Sequence, residues 1–132
     1  MNNRLININN SSEEDRFDYF IRQVVQFKQV WAISVDESYV MFGLKDGKTV
    51  FPVWSDHELA LEFMFKEHKD LGAVPDKISL LDFTKECIPD MVSEEVYFGI
   101  NYNLERKAII TAGDLLLVEI QDEYEEIWEE KL

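Results

Sequence analysis

The sequence predicts an α+β fold: an antiparallel sheet of about five strands, a three-stranded meander plus a hairpin, packed in two layers with about four helices. Three observations carry this. Gln29 to Val35, Ser38 to Leu44 and Thr49 to Trp54 are rich in β-branched and aromatic residues and are separated by short polar turns, as strands are. Apolar residues before and after them recur at helical spacing. Between strands and helix lies Phe51-Pro52-Val53-Trp54-Ser55-Asp56-His57-Glu58-Leu59-Ala60, where the chain turns from sheet to helix.

The 132 residues, 46% hydrophobic and 13% aromatic, suffice for one domain (1–132) with a real core and argue against disorder. Met1 to Asn10 is Asn-rich and expected to be flexible, lacking the apolar core of a signal peptide. No apolar run approaches the ~20 residues of a spanning helix. A single Cys excludes an internal disulfide and fits a reducing compartment, so a cytoplasmic location is expected. With 27 acidic and 13 basic residues, the formal net charge is −14. That argues against direct contact with nucleic acid or anionic membrane and leaves a basic protein as the physically suited partner. Acidity for solubility alone is the plainer explanation of the charge.

Along the chain, Ser12 precedes Glu13, Glu14 and Asp15 at capping spacing, and Phe17, Phe20, Ile21 and Val24 make the buried stripe of a helix from about Glu13 to Phe27. The three strand segments follow, with Asp46-Gly47 as a hairpin turn. Their two faces do not separate cleanly into apolar and polar, so either helices cover both faces or one face is left as a shallow groove. Pro52 cannot donate to a ladder, which places it at an edge or near a strand end. Ser55 and Glu58 suit the cap of a second helix, with Leu59, Ala60, Phe63 and Met64 inward and Leu71-Gly72 at its end. Ala73 to Ile78 reads as a connector. Ser79 and Asp82 suit a short helix carrying Leu80, Phe83, Cys87 and Ile88, stopped by Pro89. Val96, Phe98, Ile100 and Tyr102 alternate along the next strand, which Lys107 to Thr111 pairs back upon. Thr111 and Asp114 then suit the cap of a last helix running to about Glu130.

Candidate chemistry is sparse. His57 and His68 fall on the same predicted helix, eleven residues or roughly 16 Å apart, too far to share a metal. His57 lies between Asp56 and Glu58, which point elsewhere on a helix. Cys87 sits beside Glu86, which disfavours a thiolate. No nucleotide-binding, phosphate-loop, Cys-x-x-Cys or nucleophile-elbow pattern occurs. No catalytic, cofactor or metal residues are therefore expected, nor is enzyme activity.

The C-terminal stretch is the most unusual. From 119 to 132 stand Glu119, Asp122, Glu123, Glu125, Glu126, Glu129 and Glu130 against Lys131 alone. Leu116, Ile120, Tyr124, Ile127 and Trp128 still hold helical spacing. Like charges three or four apart cost about 0.2–0.5 kcal/mol each, and acids at a helix C-terminus oppose its dipole. Core packing of the apolar stripe must offset this, or a cationic partner must. The first possibility is a solvated acidic face; the second makes Glu119, Asp122, Glu123, Glu125, Glu126, Glu129 and Glu130 a docking ridge, with Tyr124 or Trp128 as anchor.

Phe51-Pro52-Val53-Trp54-Ser55-Asp56 with Leu59-Ala60 also carries a resemblance. Taken with Tyr19-Phe20, Val30-Trp31, Leu81-Asp82-Phe83, Ile109-Ile110-Thr111 and Asp114-Leu115 in that order, the chain resembles the bacterial domain-of-unknown-function family 2750 over roughly Arg16 to Ile120. The resemblance implies no catalytic residues; Pro52, Trp54, Ser55, Asp56, Glu58 and Ala60 are its signature, each with a structural role that suffices. In size, charge and class the chain also resembles acidic immunity proteins, which neutralise basic toxin domains. The leading expectation is a non-enzymatic acidic protein-binding module, most concretely such an inhibitor. The alternatives are a regulatory or adaptor protein, homodimeric through an open sheet face, and a small-molecule binder with a pocket near Trp54 and His57.

Overall fold

A computed structural model describes every residue from Met1 to Leu132. The α+β class holds, but the architecture is richer than a two-layer sandwich. In place of one sheet there are a three-stranded and a four-stranded sheet, with helices on both sides.

The first correction is at the N-terminus. Met1 to Asn10, expected to be flexible, contains helix α1 (Asn3–Asn10), capped by the Asn2 side chain, which accepts from the Leu5 N–H at 2.9 Å. Leu5 is buried, Arg4 pairs with Asp56 and Glu58, and Asn103 donates to the Asn9 carbonyl at 2.9 Å. The partners that hold this segment are distant in sequence, so composition alone misses them. Helix α2 (Glu13–Phe27) follows as read, with Ser12 Oγ accepting from the Asp15 N–H at 3.0 Å.

Strand β1 (Gln29–Val35) leads into a tight turn at Asp36 and Glu37, both at positive φ. The predicted second strand then divides. Its first part, β2 (Ser38–Tyr39), pairs with β1; its second, β3 (Phe42–Gly43), pairs with β4 (Thr49–Val53) in the other sheet. Alternation is the same whether a strand stays in one sheet or crosses to another, so the meander could not be told from this corner. The two sheets are stitched at Trp31 and Trp54, whose N–H and C=O groups exchange bonds of 2.9 and 2.7 Å.

Strand β4 is central, with order β3-β4-β6-β7, and runs parallel to β6 (Val96–Ile100). Pro52 is tolerated because β3 covers only Thr49 and Val50. The Val53 carbonyl bonds β6 through the Asn101 N–H. By alternation Pro52 turns its nitrogen the other way, beyond the end of β3.

The second predicted helix is broken in two. Met64 and Phe65 are extended (ψ 152° and 145°) between α3 (His57–Phe63) and α4 (Lys66–Asp70). In an unbroken helix Phe63, Met64 and Phe65 would fan around the axis; the break buries all three. Residues read as a connector instead form β5 (Val74–Ser79), antiparallel to β1 at a sheet edge, where Pro75 is admissible. Ser79 does cap α5 (Leu80–Asp82), accepting from the Asp82 N–H at 3.1 Å. Pro89 does not stop the helical run. A π-helical turn over Phe83–Cys87 hands over to α6 (Ile88–Ser93), placing Pro89 in its first turn, where no N–H is needed.

After β6, Asn101 adopts φ 50° and sends Tyr102 to the opposite face from Ile100. The Tyr102 ring folds back over Gly99, whose added Cβ would lie 2.4 Å from it. Strand β7 (Ile109–Thr111) precedes α7 (Gly113–Trp128). Thr111 does not cap α7; the cap position is Ala112, with no side-chain bond. Gly113 lets α7 approach α6 and β6, since a Cβ there would meet Val92 at 2.8 Å and Ile88 at 3.0 Å.

Two cores result. Phe20, Val24, Phe51, Val53, Phe83, Phe98, Leu116 and Ile120 pack between the strands and α2, α6 and α7. Leu5, Ile33, Val50, Trp54, Leu59 and Phe63 pack on the other side under α1 and α3. The apolar character of both strand faces is thereby accounted for, and the two-layer expectation gives way to cover on both faces. No helix is long and apolar enough to cross a membrane.

Candidate functional site

The side chains of the Phe51 to Ala60 stretch are taken up largely by contacts within the fold. Trp54 is 1% exposed and donates its indole N–H to the Tyr102 carbonyl at 3.1 Å. Ser55 is not the helix cap. It is buried, its N–H donating to Asn101 Oδ1 at 2.9 Å and its hydroxyl accepting from Asn101 Nδ2 at 3.2 Å. Asp56 is the cap, its carboxylate accepting from the Leu59 N–H at 2.9 Å. Glu58 pairs outward with Arg4, and Ala60 is wholly buried. His57 is exposed and stands edge-on to Trp31, ring centroids 5.1 Å apart. The Trp54 indole nitrogen is thus already used within the core, and the pocket anticipated beside Trp54 and His57 has no free polar group from Trp54.

The remaining reactive groups are quiet. Burial, and then Asp90, push the Cys87 thiol up to about 12, which disfavours the thiolate. His68 lies on α4 rather than on the helix of His57, stacked on Phe65 at 5.4 Å, and burial lowers its pKa. No group of three His, Cys, Asp or Glu side chains is arranged to hold a metal ion. A concavity of about 750 Å³ lies where α1 meets α2 and is lined by Asn9, Ser12, Glu13, Arg16, Asn103 and Lys107 among others. Arg16, 2% exposed, is spent there on the carbonyls of Asn101 (2.9 Å), Ser11 and Lys107 (2.7 Å). It ties α2 to the β6–β7 turn, with no direct ion-pair partner.

The acidic stretch is different. Glu119, Asp122, Glu123 and Glu126 of α7 face Asp18, Ile21 and Arg22 of α2 across an open groove of about 420 Å³. Val25 and Trp128 meet further along the same two helices, so α2 and α7 lie side by side. The ion pairs of the molecule join Arg4 to Asp56 and Glu58, Lys48 to Asp46, Lys66 to Asp70, and Arg106 to Glu67. None involves α7. Arg22, the groove's single cation, pairs with none of the five acids around it.

What holds α7 against its own charge is packing. Leu116, Ile120 and Tyr124 are buried, Trp128 donates its indole N–H to the Val25 carbonyl at 3.1 Å, and the Lys28 ammonium lies 4.3 Å from the Trp128 ring centroid. Tyr124 is therefore a core residue, its hydroxyl donating to Glu130 at 3.2 Å. Trp128, 40% exposed, is tied to α2. Glu125, Glu129 and Glu130 are exposed but do not line the groove. Sequence reasoning missed Asp18 and Arg22. Their i, i+4 spacing on the wet side of α2 was the available signal, but only the packing of α2 beside α7 brings them to the acids.

These features define a small α+β protein whose most distinctive surface is an acidic groove between two helices, with no convergent set of reactive side chains. The chain belongs to the family described as Protein of unknown function (DUF2750), whose model matches residues 17–120. The match takes in most of the core, Asp18, Arg22 and Glu119, and ends before Asp122, Glu123 and Glu126. Neither a curated protein nor a solved structure matches the chain.

Proposed function

We propose that the protein is a non-enzymatic protein-binding module that presents the α2–α7 groove to a basic protein surface. The observation that carries this reading is the convergence of Asp18, Glu119, Asp122, Glu123 and Glu126 around Arg22 with no ion pair to offset them. Such a surface raises the rate of encounter with a cationic partner and selects against anionic ones, more than it adds raw affinity. In its most concrete form the partner is the basic catalytic domain of a toxin, covered as acidic immunity proteins cover theirs.

The test is association with a basic protein, taken from a neighbouring gene where that gene encodes one, compared between the native chain and a variant carrying Glu119→Gln, Asp122→Asn, Glu123→Gln and Glu126→Gln. The association rate of the native chain should fall steeply with salt, and the variant should be at least about tenfold slower at low salt, with a shallower salt slope. Equal rates and equal slopes would contradict the proposal. A neighbouring gene without a basic toxin-like product would remove the immunity form of it.

A further inference from the structure

We infer that the partner's docking element is a cationic amphipathic helix, laid along α7 with its apolar residues on Leu115 and Val118 and its Lys or Arg residues over the α2–α7 groove. This rests on the reading of the acidic surface given above. Leu115 and Val118 are 63% and 51% exposed. With Glu119, Asp122 and Glu126, also exposed, they follow the i, i+3, i+4, i+7, i+11 pattern of one helical stripe. The outer face of α7 thus offers two aliphatic side chains at one end and a row of carboxylates at the other, with Asp18 and Glu123 beside the row. An apolar contact bordered by charge is the make-up of a protein interface, where the apolar part supplies affinity and the charge supplies orientation.

The occupant's conformation follows from what the two helices offer. Strand addition needs an edge of unpaired backbone N–H and C=O groups, and the helical backbones of α2 and α7 present no such edge along the groove. Two helices side by side form a furrow suited to the ridge of a third. Leu115 to Glu126 spans about 17 Å, roughly three helical turns. Charge decides the occupant's sign. A second copy of this chain on the same stripe would bring carboxylates against carboxylates on molecules of net charge −14, whereas a helix with Lys or Arg following its apolar residues meets complementary charge throughout.

The experiment uses the full-length protein and three fluorescent peptides of about four turns: one of Leu and Lys at amphipathic helical spacing, one of the same composition with the spacing scrambled, and an oligolysine. The amphipathic peptide should bind about tenfold or more tighter than the scrambled one. Leu115→Ser with Val118→Ser should remove most of that advantage while leaving the salt dependence intact. Both side chains are largely exposed, so this variant should stay folded, its melting temperature lowered by only a few degrees through the poorer helix propensity of Ser. The four-acid variant should weaken all three peptides and flatten the salt dependence. Equal binding of ordered and scrambled peptides, unaffected by Leu115→Ser and Val118→Ser, would overturn the helix inference and leave the acidic-surface reading standing. Peptide binding that ignores the four acids would overturn both.

Discussion

Neutralising the acids of the groove should make the protein more stable. In the variant Glu119→Gln, Asp122→Asn, Glu123→Gln, Glu126→Gln, the like-charge neighbours Glu119–Asp122, Glu119–Glu123, Asp122–Glu126 and Glu123–Glu126 disappear. So does the proximity of these four to Glu125 on α7, to Glu129 at its C-terminal cap and to Asp18 across the groove. Each such pair costs about 0.2–0.5 kcal/mol in an isolated helix, and no ion pair is lost in exchange. Allowing for solvent screening of exposed charges, the net gain is about 1–2 kcal/mol at low ionic strength. For a domain of this size that is a rise in Tm of about 3–8 °C. The assay is thermal unfolding by circular dichroism in about 20 mM and about 500 mM NaCl, where the Debye length drops from roughly 20 Å to below 5 Å. The increment should be clear at low salt and shrink at high salt. An unchanged or lower Tm at low salt would mean that these carboxylates are stabilised within the fold, and the argument for an external cation would fail. A stability gain accompanied by loss of binding is the signature of a functional surface kept at a cost.

Three further substitutions probe the framework that positions the groove. Asn101→Ala should destabilise by about 2–4 kcal/mol in urea unfolding, because it strips the buried Ser55 N–H of its acceptor and puts Ala, which tolerates the left-handed region less well than Asn, at φ 50°. Asn101→Gly, which accepts that φ, should cost less, and equal costs would refute the backbone part of the argument. Trp128→Ala should cost about 2 kcal/mol and loosen the end of α7. Trp128→Phe should cost about 1 kcal/mol, having lost the bond to Val25 but kept most packing. A silent Trp128→Ala would show that the helix end is not held there.

The pH dependence of stability supplies another check. Burial lowers the His68 pKa, with Glu67 opposing and Arg106 assisting. The unfolded chain therefore takes up the His68 proton first as pH falls below about 6.5, and this group's contribution drops from there down to its folded pKa. Between about pH 7 and pH 5, His68→Phe should lose less stability on acidification than the native chain does, as measured by urea midpoints. A steeper loss in the variant would reverse the assigned direction.

Local signals were legible in the sequence and long-range ones were not. Helix α2 and strand β1 have the predicted bounds because each carries a clean period, and Ser12 and Ser79 cap as expected because capping is settled within three residues. The division of Ser38 to Leu44 between two sheets, the pairing of β5 and the break at Met64–Phe65 are decided by distant packing. The break brings the Phe65 ring within 5.1 Å of both Phe42 and Tyr102, measured between centroids, a gain that no helical stripe reveals. Helix α1 is held through Arg4 and Asn9 by groups on α3 and the β6–β7 turn. Of the candidate surface, the α7 acids could be read directly. The roles of Asp18 and Arg22, the inward turn of Tyr124 and the exposure of Leu115 and Val118 required the packed helices.

Docking of a cationic helix on the α2–α7 face is tested most directly by an amide chemical-shift map of the full-length protein titrated with the amphipathic Leu–Lys peptide. Perturbations should centre on Asp18 to Arg22 of α2 and on Leu115 to Glu126 of α7. Shifts centred elsewhere, for instance on the aromatic group of Phe42, Phe65, His68 and Tyr102, or spread evenly over the acidic surface, would contradict it.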